Sequence, residues 1–98
     1  MDYRADSPQL LLDFLSYHET IKAHSQRTVD EYYLDMRNFF RYLKQLRNPA
    51  LSGKRLDEID IRDVDLAFIS RITLTDIYGY LTYLSRERVG HQHSEISK

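Results

Sequence analysis

Cysteine is absent from this chain of 98 residues, which removes disulfides and thiolate chemistry and suits a reducing compartment. Glycine occurs three times and proline twice, and no Gly-rich phosphate loop is present. No apolar run approaches the ~18 residues that cross a bilayer. The opening MDYRADSP is acidic and polar, not a signal peptide. A soluble, cytoplasmic protein without a membrane partner is expected. Net charge is −1 at pH 7, which argues against a nucleic-acid binder working by bulk attraction. Catalytic constellations are missing too. His91 and His93 are two residues apart, which suits neither a helical metal pair nor a finger motif. The acids at 57–65 lack the oxygen-ligand spacing of an EF-hand. No Ser, Thr or Tyr has a context that marks it as a nucleophile. These absences imply no metal, no cofactor and no enzyme activity for this piece alone.

What is present is helical periodicity. From Ser25 to Arg47, apolar residues recur at Val29, Tyr32/Tyr33, Met36, Phe39/Phe40, Leu43 and Leu46, one face of a long amphipathic helix. Ser25 precedes it as an N-cap. Opposite lie Arg27, Leu34, Arg37, Arg41 and Lys44, with Asp30 as the one acid of that strip. The strip is either a solvated face or a phosphate-contacting one. Charge is segregated along the chain: residues 1–20 and 57–76 are acidic, whereas 21–47 and the loop after it gather the cations.

Helices are predicted near 8–20, 26–46 and 74–88, with a short turn near 65–70. Ser7-Pro8 reads as N-cap and first helical residue, and Leu11, Phe14, Leu15 and His18 as the stripe that follows. Asn48-Pro49 stops the central helix. Residues 48–63 read as a loop of about fifteen residues, long enough to suggest a functional role. Thr73 and Asp76 have capping-box spacing, flanked by Ile72 and Ile77 at staple positions. Ile77, Tyr80, Leu81 and Leu84 form the expected core stripe of the last helix, closed by Val89-Gly90. The fold class is therefore all-α.

The order of these signals resembles the N-terminal core-binding domain of the tyrosine recombinase, or phage integrase, family. The family shows Ser-x-x-Thr, an aromatic four residues on, Asp-Leu, then aromatics and a terminal Leu. The matching positions are Ser25, Thr28, Tyr32, Asp35-Met36, Phe39 and Leu43, and Ile72-Thr73-Leu74-Thr75-Asp76-Ile77 matches a downstream helix start. The resemblance covers about residues 8–88. It implies a SAM-like helical bundle of three main helices plus a short turn. It also implies binding to double-stranded DNA as part of a site-specific recombinase, beside other recombinase protomers. Strand cleavage would belong to a separate C-terminal domain. Ser25, Arg27, Thr28, Arg37, Arg41 and Lys44 are the candidate DNA-binding residues. The family's domain ends in a further long helix that residues 89–98 cannot form. The whole of 1–98 thus reads as a single domain from a longer protein, with 89–98 a flexible tail or linker. Without that helix, some of Phe39, Phe40, Tyr80, Tyr83 and Leu84 are expected to lie exposed as a contiguous apolar patch that pairs the fragment into a homodimer. The alternative is a helical protein-interaction module that does not touch DNA.

Overall fold

The computed structural model describes residues 2–91. Four α-helices carry the chain: α1 Gln9–Thr20, α2 Gln26–Arg47, α3 Leu66–Ser70 and α4 Leu74–His91. Short 3-10 turns lie at Tyr3–Ala5, Pro49–Leu51 and Leu56–Glu58. No strand occurs among the described residues, in keeping with the all-α expectation. No helix among them is long and apolar enough to cross a membrane. α4 runs to His91, past the Val89-Gly90 expected to close it, and residues 92–98, where the rest of the expected tail falls, lie outside the described part.

The α1 start differs from expectation by one residue. Pro8 itself is the cap, extended at ψ 159°, and its carbonyl accepts from the Leu11 and Leu12 amides. Ser7 does not cap; it is buried and its hydroxyl has no partner. The chain enters the core at this point because Pro8 is also fully buried.

Val29, Tyr33 and Phe40 of α2 share one buried cluster with Leu11 and Leu15 of α1, and Leu43 is buried farther along α2. The predicted loop 48–63 supplies much of what closes it. Ile59 and Ile61 of the loop, and Val64 just after it, are buried at 4%, 1% and 4% exposure. This stretch therefore packs as core; two 3-10 turns satisfy much of its backbone and set these apolar side chains inward.

α4 leans on α2 through rings: Tyr80 lies 4.9 Å from Phe39 and 5.3 Å from Tyr42, and Tyr83 lies 5.3 Å from Tyr42. Gly79 permits this approach, since a Cβ there would sit 3.0 Å from the Tyr42 hydroxyl. None of the α4 side chains from Leu74 to Glu87 is fully buried. The expected stripe splits accordingly. Tyr80 and Leu84 face inward and are half-buried, whereas Ile77 and Leu81 are exposed together with Leu74 and Tyr78. The expected patch is corrected in the same way: Phe40 is fully buried, Phe39, Tyr80, Tyr83 and Leu84 are half-covered, and the exposed apolar stripe is on the outer side of α4. A helix touching its neighbour on one side projects from the body. The radius of gyration, 15.1 Å, exceeds the ~13 Å of a compact chain of this length.

Candidate nucleic-acid interface

The connection into α2 turns sharply at Ala23, whose φ of 54° is a left-handed conformation uncommon for a residue with a Cβ. The His24 amide then donates to the His18 carbonyl at 3.0 Å, which fixes the reversal. Rings brace it. His18 lies 4.4 Å from Phe14 and 5.1 Å from Tyr32, and stacks on His24 at 5.3 Å. The outcome is an extended Ser25 whose hydroxyl accepts from the Thr28 amide at 3.2 Å and donates to the Thr28 hydroxyl at 3.0 Å. The capping role expected of Ser25 is present. Amides of the first helical turn have no intrahelical acceptor, and with the helix dipole they favour an anion. Arg27 stands beside them with 90% of its side chain exposed, paired with Glu31 at 3.5 Å across one turn. Such an exposed pair is weak and easily exchanged. Lys22, which has no helical pattern to mark it in the sequence, is exposed on the same connection.

Farther along α2 the cations are engaged within the chain. Asp6 accepts from the Tyr33 hydroxyl at 2.5 Å, and from Arg37 Nη1 and Arg41 Nη2 at 3.4 Å each. Arg41 is only 8% exposed. Lys44 donates to the Asp60 carbonyl at 2.8 Å and pairs with the Asp63 carboxylate. The strip expected as a solvated or phosphate-contacting face is thus covered by acids from the N-terminal segment and the 60–63 loop. Asp30 is also engaged, accepting from the Tyr3 hydroxyl and from Gln26. Of the six candidate residues, Ser25, Arg27 and Thr28 come together at one exposed end, while Arg37, Arg41 and Lys44 lie along a covered flank. Sequence reasoning missed Asp6 and Tyr3, since nothing in local spacing signals a pairing 31 or 35 residues away.

Several carboxylates are held below their ordinary range. Hydrogen bonds from the Arg62 side chain and backbone lower Asp60 to about 2. The Thr73 backbone N–H and then Arg47 lower Asp76, and the Tyr3 hydroxyl followed by Gln26 lowers Asp30. A depressed folded pKa contributes stability that is complete above the unfolded value of about 3.9 and is lost as pH falls through the folded one. Burial pushes Tyr3 up to about 12, assisted by Asp30, and pushes Tyr80 up to about 12. Those raised values contribute stability that is complete below about pH 10 and is lost as pH rises through the folded pKa. Melting temperatures measured across pH are therefore expected to hold between about pH 5 and 9 and to fall on both sides. The acid limb should be shallow, because Asp60 faces solvent. A melting temperature that rises below about pH 4 would contradict these assignments.

No protein-family model matches the chain. No solved structure matches it either. Among curated proteins, tyrosine recombinase XerC of Caldanaerobacter subterraneus subsp. tengcongensis is 42% identical over 81 residues. That alignment covers 83% of this chain and 23% of the relative, so the chain matches about a quarter of that protein's length. Over most of its length, the chain is similar to part of a tyrosine recombinase, the family that its order of helix-start motifs resembles.

Proposed function

We propose that this chain is the N-terminal, DNA-binding part of a site-specific tyrosine recombinase. In this reading it clamps one face of the recombination site, and residues outside it cleave and rejoin the strand. Its partners are double-stranded DNA and other recombinase protomers, and residues 1–98 act as a single domain with no part in the cutting chemistry. The observation that carries the reading is the start of α2. A capped helix end with free first-turn amides is flanked by exposed Arg27 and Lys22, in a chain similar to a tyrosine recombinase. Ser25, Thr28 and Arg27 are assigned to backbone phosphate there, with Lys22 added. Such contacts position the protein and carry no sequence information.

The test is a salt titration of binding to duplex DNA. The Lys22→Ala/Arg27→Ala double variant is expected to bind more weakly, with a log–log salt slope flatter by about 2. The second reading, a helical protein-interaction module, is favoured by the exposed Leu74, Ile77, Tyr78 and Leu81 stripe. It predicts no change in slope from the double variant and no salt-dependent DNA binding at all.

A further inference from the structure

Gln26, Asp30, Tyr33, Arg37 and Arg41 succeed one another at spacings of three and four, so they lie along a single flank of α2. Residues 3–6 lie over that flank as a strap. The Tyr3 ring sits 4.9 Å from Tyr33, its hydroxyl donates to Asp30, and Asp6 reaches Tyr33, Arg37 and Arg41. We propose that Arg37 and Arg41 form a gated phosphate site, closed in the free protein by the Asp6 carboxylate and opened when a phosphodiester of bound DNA takes its place. This rests on the reading of α2 as the DNA-facing helix.

Two observations carry the proposal. The first is a pair of guanidinium groups whose donors are left unsaturated. Two guanidinium groups share one carboxylate, and both reach the same oxygen, Oδ2, at 3.4 Å. Charge-assisted bonds of this kind are ordinarily about 2.7–2.9 Å. The other oxygen, Oδ1, accepts from Tyr33. The Nε atoms of both arginines are buried without a partner. One carboxylate therefore does not saturate the donors of the pair. Burial and the neighbouring Arg37 charge together lower the Arg41 pKa, and Asp6, Tyr33 and Asp57 oppose them. A phosphodiester carries one negative charge, as the carboxylate does, but spreads it over two non-bridging oxygens that can face two forks of donors, the geometry guanidinium groups recognise best.

The second observation is that the strap is separable from the core. None of Tyr3, Arg4, Ala5 and Asp6 is fully buried, whereas the next two residues, Ser7 and Pro8, are. Residues 3–6 can lift about this anchor while Leu11, Leu15 and Phe40 keep their packing. Its holding contacts are polar, apart from the half-buried Tyr3 ring, which packs on Tyr33 at the edge of the core cluster.

The experiment compares wild type, Asp6→Asn and Tyr3→Ala by thermal unfolding in inorganic phosphate against chloride at matched ionic strength, and by DNA binding. Asn retains the size of Asp6 and an acceptor for Tyr33, and Tyr3→Ala loosens the strap without altering any charge. Phosphate is expected to raise the melting temperature of both variants more than that of wild type. Adding Arg37→Ala to Asp6→Asn should remove the excess. Asp6→Asn should also bind duplex DNA roughly tenfold more tightly, with a salt slope steeper by about 1. A phosphate response equal in all three proteins overturns the gate, whatever wild type does with DNA. A phosphate excess in both variants, with DNA bound by none of the proteins, overturns the assignment of the occupant to DNA and establishes the anion site.

Discussion

An Ile61→Ala variant is expected to lose about 2–5 kcal/mol of folding stability, the range for truncating a large buried aliphatic side chain. A domain of this size has about 5–15 kcal/mol in total, so the loss is a large share of what holds the fold. Ile61 is 1% exposed and belongs to the same buried cluster as Leu11, Leu15, Val29 and Phe40. Truncation there removes transfer energy and leaves a cavity walled by α1 and α2, which hold each other and cannot collapse into it. Phe40→Ala, at the fully buried centre and 6.2 Å from the Phe68 ring, should cost about 3–5 kcal/mol. The control is Leu66→Ala. Leu66 is 77% exposed on α3, and its truncation should stay within about 0.5 kcal/mol. Urea unfolding with an unchanged slope and a shifted midpoint reads all three. If Ile61→Ala proved as silent as Leu66→Ala, residues 59–64 would be a linker laid over a core that α1 and α2 complete without it.

That segment shows where the sequence stops being legible. α2 was readable because its signals are local and redundant: a capping serine, about six turns of period 3.6, and a proline stop. The α4 start was readable for the same reason, since the Thr73 amide donates to Asp76 at 3.0 Å and the Asp76 amide donates to Thr73 Oγ1 at 3.1 Å, the reciprocal bonds their spacing implies. Residues 48–63 carry charges at nearly every second position, and Ile59, Ile61 and Val64 are too few and too widely spaced to show a period. Their burial depends on α1 and α2 already being in place. What lies over the Arg37–Lys44 part of the cation strip was illegible for a related reason. Helical spacing shows which residues share a side of α2 but not what lies against that side, and Asp6 and Asp63 arrive there from distant parts of the chain. The exposed end with Ser25, Arg27 and Thr28 was legible because a cap is local.

The last expectation concerns the attachment of α4. Arg47→Ala should destabilise the α3–α4 half by about 2–3 kcal/mol, the scale of hydrogen bonds made by a charged group with little access to water. Arg47 Nη2 donates to the Arg71 carbonyl and to Asp76 Oδ2, both at 3.1 Å, and Nη1 reaches the Phe68 carbonyl at 3.5 Å. Its guanidinium also lies 4.7 Å over the Phe68 ring. Three helix ends meet there: the C-termini of α2 and α3, where carbonyl dipoles favour a cation, and the N-terminus of α4, where Asp76 is the favoured sign. Removing the fork strands the Arg71 carbonyl, leaves the Phe68 carbonyl to the Arg71 amide at 3.2 Å, and leaves Asp76 to the Thr73 amide. Arg47→Lys keeps the charge but offers one compact ammonium in place of a planar fork, so it should restore only part of the loss. Because α4 buries no side chain fully between Leu74 and Glu87, its hold on α2 rests on this fork and on the rings of Tyr80 and Tyr83. Hydrogen exchange should therefore show amides of α3 and α4 opening in Arg47→Ala while the buried turns of α1 and α2 keep their protection. Equal loss of protection in all four helices would mean instead that α4 is part of a single cooperative core, and that its exposed stripe costs the domain nothing.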